Sequence, residues 1–113
     1  MRQIVNLEVT KRNSALYEMA KKKQFTDTIF HCNEGELVYA HRLILIASSI
    51  YFMDLEKRKN ELKELVIYIP AFSKHSVDSL MQLFYNGTVV IENENAEEFQ
   101  NLMIFFRIVK KME

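Results

Sequence analysis

A strand that opens on an aspartate, a tight turn and a helix apolar on almost every side follow one another from Phe25 onward without a spacer. Phe25-Thr26-Asp27-Thr28-Ile29-Phe30 leads into residues 28–32 and 36–39. These read as a hairpin around Asn33-Glu34-Gly35, where Gly35 takes a positive φ at little cost. Ala40-His41-Arg42 then opens a helix predicted over 41–55. Leu43, Ile46, Ala47 and Ile50 stand at i, i+3, i+4 and i+7, and Ile44 and Leu45 make this helix apolar nearly all round. Such a helix lies between two layers or against another molecule.

The elements on either side supply one layer. Upstream, residues 4–9 form a short predicted strand with Val5, Leu7 and Val9 on one face. It precedes any partner strand, so it pairs with something distant in the chain or with another chain. Asn13 or Ser14 caps a helix that ends near Lys23, with Leu16, Met19 and Ala20 on its apolar side. Three lysines in its last turn complement the negative end of the helix dipole. Downstream, residues 56–64 are charged at nearly every position, which predicts a loop or an exposed turn. Leu65-Val66-Ile67-Tyr68-Ile69 reads as a strand buried on both faces and ended by Pro70. Ser73 caps the next helix, with Phe72 and Val77 as a hydrophobic staple and Val77, Leu80, Met81 and Phe84 as its core stripe. Asn86-Gly87 stops it. Residues 88–91 form one more short strand, and Asn95 with Glu98 resembles a capping box for a last helix with Phe99, Leu102, Met103 and Phe106 inside. The class is α+β: a small sheet carrying helices.

Composition narrows what this layer can do. The 113 residues suffice for one domain, and 49% apolar content with eight Phe and five Tyr builds a real core. Fifteen basic residues balance 15 acidic ones, so no global field draws in nucleic acid or a membrane surface. Arg2, Lys11, Arg12 and Lys21 to Lys23 outnumber Glu8 and Glu18 locally, the pattern of a solvated basic helix face. One cysteine, Cys32, excludes an intramolecular disulfide and fits a reducing compartment. No apolar run approaches the ~18 residues of a membrane span, and the N-terminus lacks a signal-peptide pattern. Asn86-Gly87-Thr88 matches a glycosylation acceptor in form but reads as the helix stop.

Catalytic and metal chemistry lack their residues. Catalysis needs a convergent nucleophile, base and oxyanion donors. His31 and Cys32 are adjacent on a strand and point to opposite faces, and no further cysteine completes a metal site. With Gly35 and Gly87 as the chain's two glycines, a phosphate-cradling loop is excluded. The reading is no enzyme, no cofactor and no metal. The pair that stands out is Asp27 and Arg42, one at the start of a strand and the other at the start of the helix after the hairpin. A tight hairpin brings both to one end of the domain. There they form an ion pair or cap that fixes hairpin to helix, or a partly buried charged pocket at an interface.

Asp27, Ala40-His41-Arg42, Ser49-Ile50-Tyr51-Phe52 and Tyr85-Asn86-Gly87-Thr88, in this order and spacing, resemble a BTB/POZ domain over nearly the whole chain. The N-terminal strand and first helix are more similar to the BTB domains of zinc-finger and insect chromatin factors than to Skp1-like or potassium-channel branches. The resemblance implies a homodimer in which the first strand crosses to the partner and first helices pack about a two-fold axis. Ile4, Val5, Leu7, Val9, Leu16, Met19, Ala20 and Leu43 would carry that interface, with Asp27 and Arg42 as a charged pocket beside it. It divides the chain into a candidate exchanged strand (1–10), a dimer helix (13–23) and a core (25–109).

The aromatic signature of several insect members is absent from Arg2 to Val9, and Glu56 stands where many members have Phe. The hydrophobic-x-acidic motif of cullin adaptors is not matched by Asn60-Glu61-Leu62 and is displaced at Leu62-Lys63-Glu64. The expectation is therefore a homodimerising module of a nuclear transcription or chromatin regulator, which also meets other BTB chains and co-regulators. A cullin adaptor, cytoplasmic in placement, and a monomeric Skp1-type subunit are the alternatives. Direct contact with nucleic acid or membrane is not expected.

Overall fold

The structure, a computed structural model, describes residues 2–6, 14–58 and 63–108. It is α+β, as the periodicities imply. In chain order the elements are β1 (Arg2–Asn6), α1 (Ser14–Lys21), β2 (Thr28–His31), β3 (Leu37–Ala40), α2 (Arg42–Ser48), α3 (Ile50–Arg58), β4 (Leu65–Tyr68), α4 (Lys74–Asn86), β5 (Thr88–Glu92) and α5 (Ala96–Phe105). Short 3-10 turns precede β3 and α5.

The strands form two sheets rather than one. β3, β2 and β4 make a three-stranded sheet in that order, antiparallel between β2 and β3 and parallel between β2 and β4. β1 and β5 form a separate antiparallel ribbon, with Arg2 opposite Glu92 and Asn6 opposite Thr88. The strand with no local partner thus finds one far along its own chain. Within the hairpin turn, Glu34 and Gly35 both adopt left-handed φ, 60° and 73°.

The core lies between the three-stranded sheet and the helices. Phe30, Phe52, Phe84 and Phe106 form its aromatic centre: Phe52 lies 6.2 Å from Phe30, 6.4 Å from Phe84 and 4.9 Å from Phe106. The edge-on geometry of the first two pairs suits the ring quadrupoles. The helix stripes Val77, Leu80, Met81, Phe84 and Phe99, Leu102, Met103, Phe106 are all buried, as expected. Ser73 caps α4 by accepting the Ser76 N–H, and Gly87 ends it in the left-handed conformation at φ 85°.

Three expectations change. The helix predicted over 41–55 is two helices, because Ser49 leaves helical geometry (φ −149°, ψ 131°) while its N–H still bonds Leu45 O. Its hydroxyl reaches Phe106 O at 3.4 Å, so a tertiary bond accompanies the break. β4 is not buried on both faces: Leu65 and Ile67 point inward, whereas Val66 and Tyr68 face solvent. Finally, Asn95 makes no side-chain cap, and Glu98 instead reaches α4, accepting Ser73 N–H at 2.6 Å.

Candidate protein-interaction surface

The surface begins at the junction where hairpin meets helix. β2 enters with Asp27, whose N–H bonds Ala40 O at 3.2 Å and whose O accepts Leu65 N–H at 2.8 Å, so all three strands hold this residue. Its carboxylate Oδ1 accepts the Arg42 main-chain N–H at 2.6 Å, and Oδ2 lies 3.9 Å from Arg42 Nε. Asp27 therefore caps α2 in place of His41, which occupies the N-cap position without a side-chain cap. The ion pair is the longer contact. The Arg42 side chain is 12% exposed and that of Asp27 41%, so the pair stands at the boundary of the core.

Behind it, the His41 N–H donates to Tyr85 Oη at 2.8 Å, and the same hydroxyl lies 2.7 Å from His41 Nδ1. His41 Nε2 lies 2.9 Å from Gln24 O, so in the neutral ring Nε2 carries the proton and Nδ1 accepts the Tyr85 hydroxyl. This chain of bonds ties the loop after α1 to α4. Burial pushes the Tyr85 phenol up to about 12 and the Cys32 thiol up to about 11, keeping both protonated near neutral pH. Tyr85 entered the sequence reading only as part of the Tyr85-Asn86-Gly87-Thr88 motif, without this bonding role, and Gln24 did not stand out.

The tied loop presents an apolar front. Gln24 is held by its N–H to Met19 O at 2.8 Å, and the next residue, Phe25, adopts φ 60° with 85% of its surface exposed. A bulky left-handed residue costs about 1–3 kcal/mol, so the surrounding bonds maintain it against strain. On α2, Leu43 is 74% exposed and Ala47 is exposed, with Ile46 partly covered, and Ile50, the first residue of α3, is exposed as well. The apolar stripe read from the sequence is thus the outer face, and Ile44 and Leu45 turn into the core.

The other candidate interface residues divide. Ile4 is exposed on β1, whereas Val5 is buried in the chain's own core. Leu16 and Met19 are partly covered and Ala20 is buried against the rest of the fold. Leu7 and Val9 lie outside the described residues, as do Asn60, Glu61 and Leu62 of the adaptor motif.

A separate open groove of about 620 Å³ lies between α1, β3 and α4. Its basic groups already have neighbours: Lys74 Nζ bonds Asp78 at 2.7 Å, and the Lys21 and Lys23 ammoniums sit over the rings of Tyr17 and Tyr39. His31 and Cys32 diverge, one towards solvent and one inward. Among the described residues no group of three His, Cys, Asp or Glu side chains is placed to hold a metal ion. No described helix is long and apolar enough to cross a membrane.

Known proteins are similar to this chain. Kelch-like protein 24 of Homo sapiens is 29% identical over 92 residues, covering 80% of this chain, and the chain spans about 15% of that relative's length. Longitudinals lacking protein-like of Drosophila melanogaster is 31% identical over 78 residues, which is 69% of this chain and 60% of the relative. The solved BTB domain of zebrafish PATZ1 superposes with a TM-score of 0.68 at 23% identity, covering 89% of this chain and 88% of that one. The BTB/POZ domain profile matches residues 16–113, and the chain therefore belongs to the BTB/POZ domain family of protein-interaction modules.

Proposed function

We propose that this chain is the self-associating module of a nuclear transcription or chromatin regulator. It forms a homodimer through α1, the N-terminal end of α2 and β1. The observation that carries the reading is the exposed apolar front of Phe25, Leu43, Ala47 and Ile50 beside the Asp27–Arg42 corner. Leaving large apolar side chains such as Phe25, Leu43 and Ile50 in water forgoes roughly 1.5–3 kcal/mol each, and covering them in an interface recovers it. Balanced charge argues against direct nucleic-acid contact, so DNA-binding or effector parts would belong to other segments of such a regulator. Other BTB chains and co-regulators are the further partners that the same front suits.

Light scattering after gel filtration, over a dilution series, tests the dimer. At the dilute end of the series the unmutated chain is expected to run as a dimer, and Leu43→Asp as a folded monomer with an unchanged far-UV circular dichroism spectrum. A stable monomer from the unmutated chain overturns the reading and favours a Skp1-type subunit. A second reading, a cullin adaptor, is favoured by the similarity to Kelch-like protein 24 over 80% of the chain. Micromolar or tighter capture by a cullin N-terminal domain, with the full-length protein outside the nucleus, moves the weight there.

A further inference from the structure

The three-stranded sheet turns a second surface to solvent, at its β4 edge and on the face away from the core. Bonds from Leu65 N–H to Asp27 O and from Ile69 N–H to His31 O fix the phase of β4 against β2. Alternation then aims the N–H and C=O groups of Val66 and Tyr68 away from β2. On that side β4 has no neighbouring strand among the described residues. Natural edges are blunted by short length, charge, proline or a bulge, and β4, four residues long and lying between Glu64 and Pro70, is blunted at its ends but not at its centre. Here the two residues whose backbone groups are free to pair carry apolar side chains, Val66 at 39% and Tyr68 at 72% exposure.

The outer face continues this character inward. Val66 lies in register with Ile29, and Tyr68 with His31, whose ring stacks on it at 4.6 Å. A strand with one wet face ordinarily alternates apolar with polar. This face carries apolar and aromatic side chains where charged ones would be expected.

We propose that the β4 edge is a second self-association surface, on which β4 of another copy pairs antiparallel about a two-fold axis through Val66. Free backbone groups at alternate positions accept only an extended strand, and β4 is its own complement. With Val66 opposite Val66 of the second copy, Glu64 falls opposite Tyr68, so no like charges meet. About six main-chain hydrogen bonds join the two edges. The apolar rows of both sheets then run on into one six-stranded face.

This surface is independent of the homodimer front at Leu43, and an isologous contact at each would link dimers into open chains. Four proteins separate the two: the unmutated chain, Val66→Lys, Leu43→Asp and the double variant. Each is followed by sedimentation velocity over a concentration series, with melting curves to establish folding. The mass of the unmutated chain is expected to grow past the dimer with concentration, and Val66→Lys to stop at the dimer. Leu43→Asp should also stop at a dimer, now joined through β4, and the double variant at a monomer. Val66→Thr, which keeps the backbone and the β-branch, should associate like the unmutated chain. If folded Val66→Lys follows the unmutated curve, or Leu43→Asp stays monomeric throughout, the proposal is overturned and the edge is left to an extended segment of a different protein. An unmutated chain that stops at a dimer and is split by Val66→Lys keeps the β4 pairing and removes the front at Leu43.

Discussion

Asp27 serves two groups of Arg42 at once, and the distances rank them. The 2.6 Å bond to the main-chain N–H is a helix cap, whereas the 3.9 Å approach to Nε is a loose, partly screened ion pair. A fully buried pair would cost about 3–5 kcal/mol on losing one member, which is the larger effect expected if the pocket were closed. With Asp27 two-fifths exposed, the cap dominates, so Asp27→Ala should lose about 1–2 kcal/mol. Asp27→Asn should lose less, since the amide oxygen can still accept the Arg42 N–H. Urea unfolding of both variants checks this, and equal large losses would show that the charge matters more than the cap. Tyr85 and Cys32 make a different prediction, read in alkali. Burial raises the phenol from 10.0 to about 12 and the thiol from 9.0 to about 11, so the folded chain holds both protons more tightly than the unfolded one. The stability they contribute is complete below pH 9 and is lost as pH rises through 9 to 11 for Cys32 and 10 to 12 for Tyr85. The melting midpoint should fall across that window, with the earlier part of the fall missing in Cys32→Ala.

At the scale of elements, the start of α4 is where two helices share one carboxylate. Ser73 Oγ accepts the Ser76 N–H at 3.2 Å, and Glu98 accepts from both Ser73 N–H (2.6 Å) and Ser73 Oγ–H (3.3 Å). Glu98→Ala should therefore destabilise α4, by about 1–2 kcal/mol, although Glu98 lies in the first turn of α5. A double-mutant cycle with Ser73→Ala should give a coupling of about 0.5 kcal/mol or more, and a coupling near zero would return Glu98 to capping its own helix. The case also marks what a sequence can carry. Asn95 and Glu98 have the spacing of a local cap, and nothing nearby in the chain tells of Ser73, 25 residues away. Core stripes such as Val77, Leu80, Met81 and Phe84 were legible because their period is local, as was the Ser73-to-Gly87 frame of α4. The break at Ser49 was not, for it has neither glycine nor proline and comes with a hydroxyl bond to Phe106 O. β4 looked like a strand buried twice because Val66 and Tyr68 are apolar, yet both stand in water. At the candidate interface, the stripe from Leu43 to Ala47 was readable as a pattern, but its direction, outward, depends on which side α2 turns to the core, and Ile50 falls on α3 beyond the break at Ser49. The exposure of Phe25 was not legible, because it accompanies a left-handed backbone angle that no neighbouring residue announces.

For the whole molecule, a dimer of the kind proposed can take β1 from either copy. The strand completes an antiparallel ribbon with β5 and buries Val5 in the core, contacts that are the same whether β1 comes from its own chain or from a partner. Exchange of an identical element costs little in contacts, so chain connection and the rest of the dimer front decide the balance. Ile4 and Val90 distinguish the two arrangements, since they stand opposite each other in the ribbon and both are exposed. Facing Cα atoms in an antiparallel ladder lie about 4.5–5.5 Å apart, within the span a disulfide tolerates. Cys32 is buried and does not compete for the bond. In the double variant Ile4→Cys with Val90→Cys, mild oxidation should yield a covalent dimer on a non-reducing gel, because an exchanged β1 places each new thiol against the partner's β5. A strand kept at home closes the same bond within one chain and leaves a monomer band that runs faster than its reduced form. That outcome would leave any dimer dependent on α1 and the α2 front alone, and deletion of residues 1–10 should then spare dimerisation.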